Sequence, residues 1–374
     1  MVEEVARQVH TALAMATLGG ALLTVLGLVS SRFVLQLMDT PAEILGEATI
    51  YLQIYFLGMI PQFLYNMGTN ILRAVGDSKR PLYFLIIASL VNIVLDVVFV
   101  AAFHWGVAGA AIATVISQVA SAVLTIRCLA GSNGMPWHLR ADKLRPDANT
   151  TGNICRIGLP SAVQSALYSI SNIVIQASIN AFGTNAVAAW SVYGKIDFLF
   201  WMTVSSFGIA ITTFVGQNFG ARQYDRVRSG TRICLGMTAA ITICISLVLY
   251  PAAGLAFRLF TQDEAVITLG VEIMHFLVPT YITYICIEIL SGALRGCGDV
   301  RVPTLITVFG VCGLRIAWLL LVTPRMGTLL SVEASYPITW LLASALFVVY
   351  YLRGSWLPRC IRAQEAAADK EKEA

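Results

Sequence analysis

The chain has 374 residues, 57% hydrophobic and 12% charged, with a formal net charge of +4. Charged residues make up about a quarter of an ordinary soluble domain, so half the charge needed to cover a globular surface is missing. That composition excludes a soluble enzyme and a nucleic-acid binder, and it points to an all-α, polytopic membrane protein.

Apolar runs long enough to cross the roughly 30 Å hydrocarbon core of a bilayer recur along the chain. Ten are read as helices, at 11–38, 46–72, 81–103, 107–128, 156–181, 187–217, 230–260, 266–293, 303–323 and 334–352. Residues 1–10 are polar and are followed by no small-residue cleavage site, so no cleavable signal peptide is read. The longest polar interruption, 129–155, is a cytoplasmic linker between two bundles. Residues 1–128 thus form an N-terminal lobe of four helices and 156–352 a C-terminal lobe of six. Residues 353–374 form a charged cytoplasmic tail, expected to be frayed or disordered.

Placing the N-terminus inside puts loops 73–80, 127–155, 218–229 and 295–302 and the C-terminal tail on one side. Those stretches carry most of the Lys and Arg outside the helices, whereas the opposite loops hold only Arg325. The positive-inside rule then gives N-in, C-in. None of the eight cysteines forms a C-x-x-C pair, and the four histidines have no ligand spacing. The cysteines read as packing residues and no metal site is expected. Trp105, Trp137 and Trp356, near helix ends, fit interfacial anchors.

Two stretches match at a constant offset. Leu72-Arg-Ala-Val-Gly-Asp-Ser-Lys-Arg-Pro81 pairs with Leu294-Arg-Gly-Cys-Gly-Asp-Val-Arg-Val-Pro303, both reading L-R-x-x-G-D-x-[KR]-x-P between membrane helices. Gly-Asp supplies a tight turn, and Pro starts the next helix where no donor is needed. The match implies two pseudo-symmetric six-helix lobes, the first truncated to four helices, because partners for 156–181 and 187–217 would precede Met1. Repeats of this kind are how many secondary transporters build alternating access.

Several polar residues fall inside apolar runs. Asn92 and Asp96 are one turn apart on one helix face, about 17 and 22 Å in from Pro81 at ~1.5 Å per residue. An ionisable carboxylate at that depth is expensive and marks function; the alternative is a neutral Asp hydrogen-bonded within the bundle. Glu288, Lys195, Asp197 and Arg315 lie in other runs, either as substrate-facing groups or as ion pairs serving assembly. Glu288–Arg315 and Glu288–Lys195 are the pairings considered. Gln164, Asn172 and Gln176 share one face, suited to a polar ligand moiety or to interhelical hydrogen bonds. Tyr51, Tyr55, Met59, Phe198, Trp201 and Met202 line an adaptable apolar cavity, or serve as packing or lipid-facing residues. Pro61 and Pro279, in corresponding helices, each remove a backbone hydrogen bond and are hinge candidates or static kinks.

The two L-R-x-x-G-D-x-x-x-P copies occur together with Asn92-Ile-Val-Leu-Asp96, Gly109-Ala-Ala-Ile-Ala-Thr114, Gly158-Leu-Pro160 and Gly216-Gln-Asn-Phe-Gly-Ala221. Together they resemble the multidrug and toxic compound extrusion (MATE) family over essentially the whole chain, starting at what would be the family's third helix. Tyr193-Gly-Lys-Ile-Asp197 is similar to its bacterial damage-inducible-like branch. The resemblance implies a twelve-helix, two-lobe antiporter of the bacterial inner membrane. It would export organic cations, drugs or other amphipathic compounds in exchange for H⁺ or Na⁺. It also implies that Asn92 and Asp96 join Asn66 and Thr114 in a first-lobe cation site, whose further acid would lie on a helix this chain lacks. In the second lobe, the acids of one branch fall at Tyr168 and Tyr284, which disfavours sodium coordination there.

No G-x-x-x-x-G-K-[ST] occurs, so ATP is not the direct driver. No Ser/His pair or metal-ligating cluster argues for a membrane-embedded enzyme. A flippase for lipid-linked oligosaccharides or lipid precursors is the alternative of related architecture. It would favour a cationic groove, for which the intramembrane Arg and Lys are few. No cofactor beyond the coupling ion is expected, and the partners are a small-molecule substrate and the bilayer. The full-length protein would be a monomer.

Overall fold

In lipid no water is available to an exposed N–H or C=O, so a spanning segment must bond its backbone internally. The computed structural model describes residues 2–38 and 40–373, with side chains from residue 3 to residue 366, and shows helices and no strand among them. The helices are α1 (Val2–Leu37), α2 (Ala42–Leu57), α3 (Met59–Ala74), α4 (Lys79–Asp96), α5 (Gly106–Ala130), α6 (Ala148–Asn180), α7 (Thr184–Gly220), α8 (Tyr224–Arg258), α9 (Glu264–Leu277) and α10 (Ile285–Gly296). They are followed by α11 (Arg301–Thr307), α12 (Leu314–Leu321), α13 (Thr323–Met326), α14 (Leu329–Leu352) and α15 (Trp356–Glu373).

Eight helical segments among the described residues are long and apolar enough to cross a membrane, and the bent pair α2–α3 makes a ninth. The protein is a multi-pass membrane protein. The tenth expected crossing, at 156–181, lies on α6, which is 33 residues long. Its apolar content is diluted by Gln164, Ser165, Ser169, Ser171, Asn172, Gln176 and Ser178, so it is less apolar than the other crossings. Outward positions elsewhere are apolar: Val29 is 80% exposed and Leu247 68%. Such side chains suit a lipid face and would be an aggregation liability in water.

Contacts separate Met1–Arg156 from Ile157–Ala374, with the division inside α6. In the first unit α1 packs on α2 and α3, and α5 packs on α2, α3 and α4, around Val9, Leu13, Leu72 and Leu129. In the second unit α7 packs on α8, α9 and α10. Gly292 and Gly296 let α10 come close: a Cβ on Gly296 would lie 2.7 Å from the Thr212 carbonyl oxygen. Small residues four apart are a membrane-helix packing device.

Helix irregularities have identifiable causes. The chain bends by 43° between α2 and α3 at Gly58. Pro61, three residues on, has no N–H to give the Leu57 carbonyl. Between α9 and α10 the helix tightens to a 3₁₀ segment, Val278–Thr283, at Pro279. Two π segments, Val97–Ala102 and Val308–Gly313, widen the helix after α4 and before α12.

The repeated motif forms the same backbone turn twice. The Gly76 N–H donates to the Arg73 carbonyl at 2.9 Å and the Asp77 N–H to Leu72 at 2.8 Å; Gly298 donates to Arg295 at 2.9 Å and Asp299 to Leu294 at 3.0 Å. This is the Schellman C-cap, which needs a left-handed residue; Gly76 has φ +91° and Gly298 φ +83°. The side chains then diverge. Asp77 accepts from the Arg80 backbone N–H at 3.1 Å, whereas Asp299 accepts from the Tyr350 hydroxyl, which in turn accepts from Arg359 Nη2 at 2.6 Å.

Three expectations are corrected. The segment between α5 and α6 is shorter than 129–155, because α6 already starts at Ala148. Asp147 caps it, accepting from the Thr150 N–H at 2.8 Å and hydroxyl at 2.7 Å. The connecting segment is pinned to α1, with the Arg140 N–H donating to His10 Nε2 at 3.0 Å. The tail is helical from Trp356 to Glu373, consistent with its many strong helix formers. Trp356 is no interfacial anchor: it is 2% exposed, stacked on Tyr351 with its Nε1 donating to the Tyr351 carbonyl. Trp137 is half-buried against the first unit's core, and of the three only Trp105 is exposed.

Replacing Gly298 by Val should cost about 1–2 kcal/mol, the penalty for a side chain in left-handed backbone, read as lower thermal stability in micelles; the same change at Gly183, in another connection, offers a control at positive φ. The Thr150 N–H and hydroxyl hold the Asp147 carboxyl below its ordinary value of 3.8. A depressed folded-state pKa makes this cap's contribution present above 3.8 and lost as pH falls below it. Amide exchange at residues 150–152, corrected for intrinsic rates, should therefore accelerate only at acid pH, whereas Asp147→Ala should show fast exchange throughout.

Candidate functional site

The first unit places Asn92 and Asp96 one turn apart on α4, with Asp96 the last residue before the π segment. Asn92 Nδ2 and Asp96 Oδ1 are both buried and without a hydrogen-bond partner. π segments recur at functional sites, where they shift a helix's register. Here Phe99, inside the segment, stacks on Trp105 at 5.0 Å, and Gly109 lets α5 approach to where a Cβ would lie 3.0 Å from Phe99 Cβ.

The structure does not bond the four first-lobe residues to one another. The Thr114 hydroxyl donates to the Ala110 carbonyl of its own helix at 3.0 Å, and Asn66 is exposed. Two amides that the sequence reading passed over are buried in the same unit with unpaired oxygens, Gln62 Oε1 on α3 and Gln118 Oε1 on α5. Gln118 Oε1 fills the notch over Gly58, at the α2–α3 bend. The available signals were its spacing of four from Thr114 and the position of Gln62 next to Pro61.

In the second unit, buried charges are surrounded by aromatic rings. Glu288 on α10 approaches Arg295 Nη2 at 3.9 Å and accepts from the Tyr284 hydroxyl at 3.2 Å. Tyr168 lies beside Tyr284 and Glu288, so the two tyrosines standing at the branch's acid positions meet around this glutamate. Neither Glu288–Arg315 nor Glu288–Lys195 forms. Arg315 Nη2 donates to the Thr339 hydroxyl at 3.0 Å, with its guanidinium 4.2 Å from the Tyr336 ring centre. Lys195 is exposed, over Phe260 at 5.3 Å. Arg295 displaces both because it sits on the same helix, two turns from Glu288.

Asp197 points into the aromatic cluster. Its Oδ2 accepts from Trp201 Nε1 at 2.6 Å. Trp201 packs edge-on to Tyr284 and Trp340; Phe200 stacks on Tyr281 at 4.0 Å. Phe198 and Met202, on the other side of the helix, are exposed, and Tyr51 stacks on Tyr55 in the first unit. The amides of α6 lie off its packed face: Asn172 and Gln176 are exposed, Gln164 is half-buried, and the buried face is Ser171, Ile175 and Ile179. Gln176 Nε2 donates to Asn180 Oδ1 at 2.8 Å. Among the described residues no group of three His, Cys, Asp or Glu side chains could hold a metal ion. What the arrangement offers chemically is isolated buried carboxylates with free lone pairs, suited to a proton or a single cation.

A family model described as MatE matches residues 1–98 and 160–320. The chain belongs to the MatE family. MatE proteins are transporters, so transport rather than covalent catalysis is the family's role. The chain is 29% identical over 354 residues to a probable multidrug resistance protein, YoeA, of Bacillus subtilis, covering 92% of this chain and 76% of that one. It is 24% identical over 361 residues to the probable multidrug resistance protein NorM of Thermotoga maritima, covering 94% and 76%. Its fold matches a MOP-superfamily transporter from Pyrococcus furiosus, described as having a binding pocket of reversed polarity, with a TM-score of 0.88 at 22% identity over 95% of this chain and 80% of that one. It also matches an outward-facing MATE-family multidrug resistance transporter, with a TM-score of 0.86 at 21% identity over 96% and 80%.

In this MatE chain Glu288 is wedged against α7, where a Cβ on Gly208 would lie 2.9 Å from Glu288 Cγ. Gly208→Ala should therefore destabilise the protein by about 1–3 kcal/mol, as overpacking does. In the Glu288→Ala background the same change should cost little, a coupling that chemical denaturation of the four variants in micelles would read as a double-mutant cycle.

Proposed function

We propose that this MatE chain is a secondary-active efflux transporter that exports organic cations, drugs or other amphipathic compounds in exchange for inward H⁺ or Na⁺. The observation that carries the reading is Asp96, a carboxylate in a membrane helix with one oxygen buried and unpaired. A buried carboxylate lacking its own hydrogen bonds is costly, and binding a coupling cation relieves that cost in one of two states. Asn92 is placed one turn away, where its side-chain carbonyl oxygen is the group that would share the cation. The family and the multidrug relatives support the substrate class.

Alternating access requires points where long helices bend. The Gly58–Pro61 break and the 3₁₀ segment at Pro279 are the bending points of this reading. The exposed amides Asn172 and Gln176 are poorly suited to lipid, so they face a water- or substrate-filled path. The orientation is N-in, C-in in the bacterial inner membrane. Besides Arg325, the outer helix ends carry Arg32 and Arg258, still far fewer Lys and Arg than the inner loops hold, which keeps the positive-inside bias.

Asp96→Asn keeps the shape and removes the charge. It should abolish the uptake of a fluorescent organic cation into inverted vesicles whose lumen is loaded with the coupling ion, which is export in this orientation, while leaving expression and membrane insertion unchanged. Undiminished efflux at equal protein level would refute the role given to Asp96.

A further inference from the structure

The buried acids of the second unit are not equivalent. Glu288 has a cationic neighbour, Arg295, at 3.9 Å. Asp197 has none: no Lys, Arg or His nitrogen comes within 4.0 Å of it among the described residues. Its surroundings are neutral donors. On α7 itself these are Trp201 Nε1, bonded to Oδ2, and the Tyr193 hydroxyl. From the 3₁₀ segment comes the Tyr281 hydroxyl, 3.3 Å from that of Tyr193. Tyr336 on α14 is the next titratable group out, and the Arg315 guanidinium lies on its ring. Of the helices packed on α7, α10 presents its acid, Glu288, at Gly208, about three turns away, and α8 and α9 bring no cationic group into ion-pair range. Oδ1 of Asp197 is buried and has no hydrogen-bond partner.

A buried carboxylate without a counter-ion, held by an indole N–H and flanked by neutral phenols, keeps its charge uncompensated; an O–H bond formed at Oδ1 removes that charge and can then donate to a phenol oxygen. The proton comes from water and returns to it when that O–H bond breaks, with no electrons transferred. A metal cation fits less well, since hard cations take about six or more oxygen ligands and the neighbours are mainly rings. We propose that Asp197 is a second proton-binding carboxylate, so that this transporter carries one proton site in each unit, Asp96 in the first and Asp197 in the second. The inference rests on the antiport reading for its coupling role, but not for the titration itself.

Trp201 is a built-in reporter, because its indole N–H is bonded to the carboxylate in question. The full chain in lipid nanodiscs would be titrated across the range in which buried carboxylates titrate, with the Trp201→Phe spectrum subtracted to isolate the Trp201 signal. The expected result is a single transition in Trp201 emission that is absent in Asp197→Asn and present with a moved midpoint in Asp197→Glu. The Glu variant also guards against loss of signal through misfolding. In proteoliposomes, protons released per substrate should fall about twofold in Asp197→Asn, by loss of one of two sites. A flat Trp201 signal in the unaltered protein, a transition that survives in Asp197→Asn, or undiminished proton release in that variant would overturn the assignment. The fluorescence readout needs no transport, so failure of the antiport reading would show separately, as efflux insensitive to Asp96→Asn.

Discussion

Everything in this molecule follows from the absence of backbone hydrogen-bond partners in a hydrocarbon solvent. A chain that is more than half hydrophobic can satisfy its peptide groups there only by winding into helices, so each interruption of the α ladder has a cost and a position. The interruptions fall beside the polar residues of greatest interest. One π segment follows Asp96 directly, and another ends two residues before Arg315. The 3₁₀ segment contains Tyr281, a neighbour of Asp197, and ends just before Tyr284, the donor to Glu288. The bend at Gly58 holds the unpaired oxygen of Gln118.

The buried charges show three different electrostatic solutions. Glu288 is balanced by Arg295 and a phenol. Arg315 is held by a hydroxyl and the face of an aromatic ring, the kind of contact that stabilises a cation without a counter-ion. Asp96 and Asp197 have neither arrangement, and each keeps one oxygen unbonded. Structural charges are paired because leaving them unpaired is costly. Of the buried side-chain atoms without a partner among the described residues, only those of Asp96 and Asp197 are carboxylate oxygens, and there binding energy for a coupling ion is available.

The internal repeat shows how far sequence similarity constrains structure. Both copies of L-R-x-x-G-D build the same Schellman turn, since the left-handed glycine and the two closing backbone bonds depend only on local chain geometry. What the aspartates then do differs. Asp77 stays with its own helix through Arg80, while Asp299 reaches through Tyr350 to Arg359 at the start of α15. Residues far apart in sequence make that second chain of contacts, and no local pattern encodes it.

Composition and hydrophobic patterning by themselves determined the helical membrane class and the approximate places of the crossings, and the matched L-R-x-x-G-D stretches the repeated turns, because each depends on burial in lipid or on neighbours within a few residues. Asp96 and Pro61 were legible for the same reason: depth along a helix and loss of a donor are one-dimensional properties. Only the tertiary structure decided which groups meet. It left Asn172 and Gln176 off the packed face of α6, gave Glu288 to Arg295 rather than Arg315, left Asn66 and Thr114 unbonded to Asp96, and placed Asp197 among tyrosines and a tryptophan. Those outcomes depend on the rotation of each helix about its axis and on close approaches such as Gly208 against Glu288. Packing sets both, and a shift of about 100° per residue around a helix is enough to exchange one partner for another.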